Sequence, residues 1–479
     1  MSIISKNDFK STLLQLECHF TWILLKEDVD LDNIEDKTGY QIEYQCIQSN
    51  VASYNMLSYV CYLKHLHEDA LQNLQKAEEE IEKNHPNETD RRSLVTWGNY
   101  AWIYYHMNRY KEVQAYLSKV EDTCRKLSST ARYKIQLPEI YAEKGWALLK
   151  FGRTYYGRAK ECFENALKNE PDNPEFTAGH AIATYRVESM TLGSGENESS
   201  SLEPLRRAVE LNPNDTSVVA LLALKLQDLN LVEEGERYIE AAMEKTPDLP
   251  YFLRYAAKFY RRKGQLDKSL ELLKKGLAVT PTCSFLHHQI GLCYRAKLFR
   301  LKKPTKYAPR EQVEELIRLS IFHFQRAIQQ KSTFFSAYND LAMMYAEGNK
   351  YREAEQTFQK VFQMTNLHSA DKQELYYYYG RFQHFHRKSE SEALKYYTEG
   401  LKIETDSAGR IKCKIALKKL LEQKIQERSA DAATFSTLGL IHRLNNEKQQ
   451  AIECYEKALK LDPENEEHWS ALCELRRSS

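Results

Sequence analysis

Tyr251, Arg254, Lys258 and Arg261 follow one another at spacings of 3, 4 and 3, which on an α-helix aligns one ring and three cations in a stripe. Leu253, Ala256, Ala257 and Tyr260 fall within about 100° of one another on the opposite, packing face. A second segment repeats the arrangement, with His287, Ile290, Gly291 and Tyr294 at packing positions and Phe285, His288 and Arg295 on the other stripe. Neither stripe carries a carboxylate. Between residues 272 and 310 there is no Asp or Glu but nine Lys or Arg, and between 249 and 266 five basic residues and no acid. Cations neutralise phosphates while rings stack on bases, so the pattern suits a single-stranded nucleic acid. An acidic peptide tail held by a repeat adaptor, or a solvated helix face, are the competing readings of the same spacing.

Other chemistry is harder to place. His65/His67 and His384/His386 are two residues apart, which puts each pair on different helix faces and reads as structural rather than metal-binding. Tyr376 to Tyr379 read by default as packing residues. No HExxH, GxxxxGK[ST] or GxSxG pattern occurs, so no enzymatic activity is expected. The 10 cysteines contain no CxxC pair and read as the reduced thiols of a cytoplasmic protein.

The stripes need helices to carry them, and the chain supplies a repeat of about 34 residues, the period of tetratricopeptide helix pairs. The last unit is fullest: Phe435, Leu438, Gly439 and His442 in one helix, Ala451, Tyr455 and Ala458 in the next, closed by Pro463. Gly439 and Ala451 let the helices approach; Tyr455 fills the gap. The second-helix half recurs as Ala159-Phe163-Ala166-Pro171, Gly235-Ile239-Ala242-Pro247, Ser269-Leu273-Gly276-Pro281, Ser320-Phe324-Ala327-Ser332 and Ala354-Phe358-Val361. With weaker copies there are about ten units. The expected fold is all-α, a right-handed tetratricopeptide-repeat superhelix (α-solenoid) whose first helices line a basic groove or tunnel. The expected division is a helical segment closing the groove (1–50), N-terminal repeats (51–250), central repeats with the basic aromatic groove (251–365), C-terminal repeats (366–465) and a cap (466–479). Gly193 to Ser201 reads as an exposed loop, and an insertion between Tyr294 and Ser320 lengthens its repeat by about 17 residues.

Composition agrees. Gly (17) and Pro (12) are scarce in 479 residues, which disfavours turn-rich β architectures. The 68 basic and 67 acidic residues leave a net charge of +1, so charged function must come from local segregation. No stretch has the length and apolarity of a membrane span or signal peptide, and no membrane insertion is expected.

Leu16-Glu17-Cys18-His19-Phe20-Thr21-Trp22, Arg92-Ser93-Leu94-Val95-Thr96-Trp97-Gly98-Asn99, Tyr255-Ala256-Ala257-Lys258-Phe259-Tyr260-Arg261-Arg262 and Leu286-His287-His288-Gln289-Ile290-Gly291-Leu292-Cys293-Tyr294 resemble the interferon-induced proteins with tetratricopeptide repeats. The resemblance covers essentially the whole chain. Leu24-Leu25-Lys26-Glu27-Asp28 and Ala471-Leu472-Cys473-Glu474-Leu475-Arg476 are most similar to member 5 of that family. The resemblance implies a cytosolic antiviral effector of innate immunity that sequesters single-stranded RNA by its 5′-triphosphate end, without sequence preference. Its implied partners extend to tRNA and to family-member or signalling-protein contacts.

Carried over by resemblance, the triphosphate pocket comprises Gln41, Lys150, Tyr156, Arg186, Tyr251, Arg254, Lys258 and Arg261. Tyr255, Phe285, His288, Gln289, Arg295 and Lys303 are implied to hold the first nucleotides, and Phe334, Tyr338, Lys412 and Lys419 the outgoing strand. The chain departs from the member 5 pattern at Asn33 and Lys37, where that pattern has an acidic and a small polar residue, and at Gln48, where it has a lysine. No cofactor is expected: a divalent cation accompanying the triphosphate would lack that carboxylate, and Lys37 would join the pocket as a positive charge instead. Ser336 stands where the pattern places an aromatic, weakening stacking on the outgoing strand.

Overall fold

The computed structural model describes residues 6–29, 31–44, 50–191, 200–303, 309–365 and 367–477, and every regular element among them is helical. Consecutive helices pair in antiparallel hairpins, as in Pro138–Phe151 with Tyr156–Leu167, Pro250–Lys263 with Leu266–Val279, and Ala432–Leu444 with Lys448–Leu461. The tetratricopeptide architecture read from the repeat is the one observed.

Two local devices recur among the hairpins. The first helix ends in a left-handed residue, where asparagine or glycine is least strained: Asn108, Asn230, Asn349 and Asn446 have φ of 57 to 62°, and Gly264 has φ 86°. The next amide bonds back five residues, Arg109 N to Tyr104 O at 2.9 Å, Leu231 N to Leu226 O at 2.8 Å and Gln265 N to Tyr260 O at 2.9 Å. This closes the helix end and turns the chain. The second device is a small residue facing a ring. A Cβ on Gly291 would lie 2.5 Å from the Phe324 ring, and one on Gly380 2.6 Å from that of Tyr397. Gly439 meets Tyr455 in the same way, as the spacing predicts.

Contacts divide the chain into two compact units, the first ending at Gln289 and the second running from Ile290 to the C-terminus. The segment 251–365 therefore contributes to both. In the first unit, residues 13–24 pack against Leu94–His106: His19 N donates to Asn99 Oδ1 at 3.2 Å, and Trp102 Nε1 to Leu13 O at 3.2 Å. The lengthened repeat after Tyr294 is largely helix, since Ser284–Leu301 and Arg310–Gln330 span 18 and 21 residues. Gln48 and residues 193–199 of the expected loop lie outside the described residues; Ser201, the last residue of that loop, is buried rather than exposed, its N donating to Glu188 Oε2 at 3.0 Å. No described helix is long and apolar enough to cross a membrane.

Candidate nucleic-acid interface

In the first unit the interface is built on the helix Pro250–Lys263. Proline in its first turn needs no amide partner, and Gly264 caps the other end. Its inner face, Phe252, Leu253, Ala256, Ala257, Phe259 and Tyr260, is buried. Packing that face leaves Tyr251, Arg254, Lys258 and Arg261 half-buried on the opposite one. Arg262 and Lys263 turn aside to Asp228 (2.8 Å) and Glu236. Among the described residues, neither Arg254 nor Lys258 has a carboxylate within ion-pair distance.

Arg254 is held by rings instead. Its guanidinium carbon lies 5.1, 4.8 and 5.3 Å from the ring centres of Tyr251, Tyr255 and Phe285. Each such contact is worth about 0.5–2 kcal/mol, depending on desolvation. From the helix Pro174–Thr191, Arg186 Nη2 donates to Tyr255 Oη at 3.3 Å, and Tyr251 Oη donates to the same oxygen at 3.5 Å. Burial works to raise the Tyr255 hydroxyl pKa, but Arg254 and Arg186 outweigh it and pull the hydroxyl down. Burial drives the Lys258 ammonium down, and Arg262, Arg186 and Arg261 add to it. Such a cluster is short of negative charge and gains when an anion enters.

The companion helix, Ser284–Leu301, supplies Phe285 half-buried and Gln289, whose Oε1 accepts from Arg261 Nη2 at 3.2 Å. His288 is only 7% exposed, so its ring is packed rather than displayed as the spacing predicts. Tyr255, at 9%, likewise braces the cluster from within.

Lys150 sits at the end of Pro138–Phe151, its Nζ donating to Ser53 Oγ at 3.3 Å. Burial pushes its pKa down to about 7, with Glu143 pulling the other way. Glu143 accepts from Asn55 Nδ2 at 2.8 Å, and burial pushes its carboxyl up to about 7. The sequence reading missed Glu143, although it stands two helical turns before Lys150 on the same face. It missed Trp146 as well, whose Nε1 donates to Glu175 Oε1 at 3.2 Å. Tyr156 opens its helix and contributes to holding Arg186 charged. Gln41 is half-buried on Leu31–Tyr44; the Lys37 side chain lies outside the described residues.

The remaining candidates belong to the second unit. Arg295 pairs with the buried Asp340, so the stripe that lacks a carboxylate in sequence receives one from the helix Phe335–Glu347. Lys412 Nζ stands 3.5 Å from Glu374 Oε1, and 5.6 and 5.9 Å from the ring centres of Tyr377 and Tyr378. Phe334 precedes its helix and Tyr338 follows one turn later, both half-buried. Lys303 and Lys419 are exposed. The tyrosine run divides: Tyr379 is core, while Tyr377 and Tyr378 meet the cation. Among the described residues no group of three His, Cys, Asp or Glu could hold a metal ion.

Residues 335–367 and 432–465 match models of the tetratricopeptide repeat. The chain is 46% identical to the human antiviral innate immune response effector IFIT1, over 94% of this chain and 95% of that one. It is similar to the solved structure of the human IFIT1 dimer with PPP-AAAA, with TM-score 0.81, 45% identity and coverage of 95% of this chain and 99% of that one. The human IFIT1 dimer with m7Gppp-AAAA gives TM-score 0.83 at the same identity and coverage. Two terminal strings suggest member 5 of that family; the whole-chain similarity is instead to member 1, at 46% identity, and to the human IFIT1 homolog B, at 48%.

Proposed function

Because this chain belongs to the family of interferon-induced proteins with tetratricopeptide repeats, we propose that it captures the 5′ end of single-stranded RNA in the first unit and acts as a cytoplasmic antiviral effector. The observation that carries this reading is the Arg254 cluster: a guanidinium flanked by three rings, beside Arg186, Lys258 and Arg261, with no carboxylate paired to Arg254 or Lys258 among the described residues. Terminal phosphates would supply the missing negative charge, and Phe285 would offer its face to the first base. Lys150 and Tyr156 extend the phosphate-binding set. The solved human relatives carry a triphosphate or a capped tetranucleotide, which supports a 5′ end as the feature recognised.

Titrating one RNA with 5′-triphosphate, monophosphate, hydroxyl and capped ends tests the reading. Tightest binding to the triphosphate, and loss of that preference in Arg254→Glu, is expected. Equal affinity for all four ends would overturn end capture. Binding of an acidic peptide tail more tightly than of any RNA would favour an adaptor role.

A further inference from the structure

We infer that Tyr255 is the internal counter-ion of the phosphate cluster: its hydroxyl is ionised to a phenolate before an anion enters, and capture of a terminal phosphate returns a proton from solvent to Tyr255 Oη. The inference rests on the reading of the first unit as a phosphate site and adds what that site does with a proton.

Two donors converge on one oxygen. Arg186 Nη2 donates to Tyr255 Oη at 3.3 Å and Tyr251 Oη to the same atom at 3.5 Å, while among the described residues no acceptor stands within hydrogen-bond distance for a proton on Tyr255 Oη itself. A neutral phenol would aim that proton among cations; a phenolate accepts both bonds and has no proton to place.

The surrounding charges favour the ionised form. On the same helix stand Tyr251, Arg254 and Lys258, with the Arg254 guanidinium carbon 4.8 Å from the Tyr255 ring centre. Pro174–Thr191 brings Arg186 and Tyr185, and Thr216–Asp228 brings Asp228, which is committed to Arg262 at 2.8 Å. Ser284–Leu301 sets Phe285 against Arg254 and carries His288, with Cys283 just before it. Among the described residues no carboxylate lies within ion-pair distance of Arg186, Arg254 or Lys258. Burial pushes the Tyr251 and Tyr185 hydroxyls up, so both keep their protons. Burial acts on Tyr255 in the same sense, but Arg254 and Arg186 outweigh it and pull its hydroxyl down to about 6.

The consequence is selectivity. The phenolate already offsets part of the charge on Arg186 and Arg254, so an uncharged 5′ end gains no electrostatic energy by entering. A terminal phosphate brings enough charge to take over the guanidiniums. Its negative charge then raises the proton affinity of Tyr255, and the reprotonated hydroxyl donates to a phosphate oxygen. Capture therefore takes up a proton, and affinity falls as pH rises above about 6. Neutralisation of Lys150 and ionisation of Glu143 act in the same direction, so the test must read Tyr255 itself.

The near-ultraviolet band of tyrosinate does so in the full chain, with inorganic tripolyphosphate as a probe that does not absorb there. Ordinary tyrosines titrate near pH 10 and stay silent below about pH 8. The native chain should gain the band of a single tyrosinate with a midpoint of about 6, Tyr255→Phe should lack it, and saturating tripolyphosphate should abolish it at neutral pH. Calorimetry of triphosphate RNA in two buffers of different ionisation enthalpy should show Tyr255→Phe taking up about one proton fewer. The affinity lost in that variant should be largest in acid, where the native hydroxyl is already protonated, and shrink as pH rises. If Tyr255→Phe fails to fold, Arg186→Gln removes one donor and should move the midpoint of the band up by about one pH unit or more. An unmoved midpoint, no difference in the band between the native chain and Tyr255→Phe, or a band that persists while triphosphate RNA is bound would overturn the inference and leave end capture standing. If the titration of four RNA ends shows no preference for triphosphate while tripolyphosphate still removes the band, the RNA reading fails and the counter-ion stands.

Discussion

Arg186 and Tyr255 are separated by 69 positions in sequence, yet Arg186 Nη2 donates to Tyr255 Oη at 3.3 Å. The bond joins two first helices and fixes a guanidinium and a phenol within one cluster. Tyr255→Phe removes the acceptor and keeps the ring. We expect triphosphate RNA binding to weaken by about 0.5–1.5 kcal/mol, the net value of a hydrogen bond. A larger loss accompanied by a lowered melting temperature would assign Tyr255 to packing alone.

Arg254→Glu places a carboxylate among phosphates in a partly desolvated site and should cost at least about 2 kcal/mol of RNA binding. Calorimetric titration of the folded variant measures it. Unchanged affinity would remove Arg254 from the interface.

Phe285→Ala separates stacking from electrostatics. The ring is half-buried, so its loss should weaken binding by about 1–3 kcal/mol while the slope of log K against log salt stays constant, no phosphate contact being lost. A shallower slope would show that the ring acts by positioning Arg254.

The Lys150 and Glu143 pair makes capture depend on pH. Lys150, held down to about 7, is cationic below that value and neutral above it. Glu143, pushed up to about 7, is neutral below and anionic above. Both changes disfavour a phosphate as pH rises, so triphosphate affinity should fall between about pH 6 and pH 8.5. Glu143→Gln should flatten part of that dependence. A profile that rises with pH would contradict the placement of phosphate beside Lys150.

Gly291→Ala probes the fold. Its Cβ would lie 2.5 Å from the fully buried Phe324 ring, which has no room to yield, and overpacking of this kind costs about 1–3 kcal/mol. A lowered thermal midpoint is expected; an unchanged one would mean the hairpin can separate without loss.

The residues of one helix pair are close in sequence, and the spacing of small residues and rings states which faces touch. The hairpin architecture and the stripe Tyr251, Arg254, Lys258 and Arg261 were therefore legible without coordinates. Which cations remain uncompensated was not, because an ion pair between helices joins residues tens of positions apart. Arg295 looks free on its own stripe until Asp340 arrives from another repeat, and Arg262 looks like part of the basic run until it pairs with Asp228. Exposure is decided the same way: His288 and Phe285 lie three residues apart on one helix, yet packing buries the first and leaves the second half open. The sequence by itself determined the repeat and the distribution of charge along it. Tertiary packing decided which of those charges and rings are left to meet a ligand, because long-range partners and desolvation have no periodic signature.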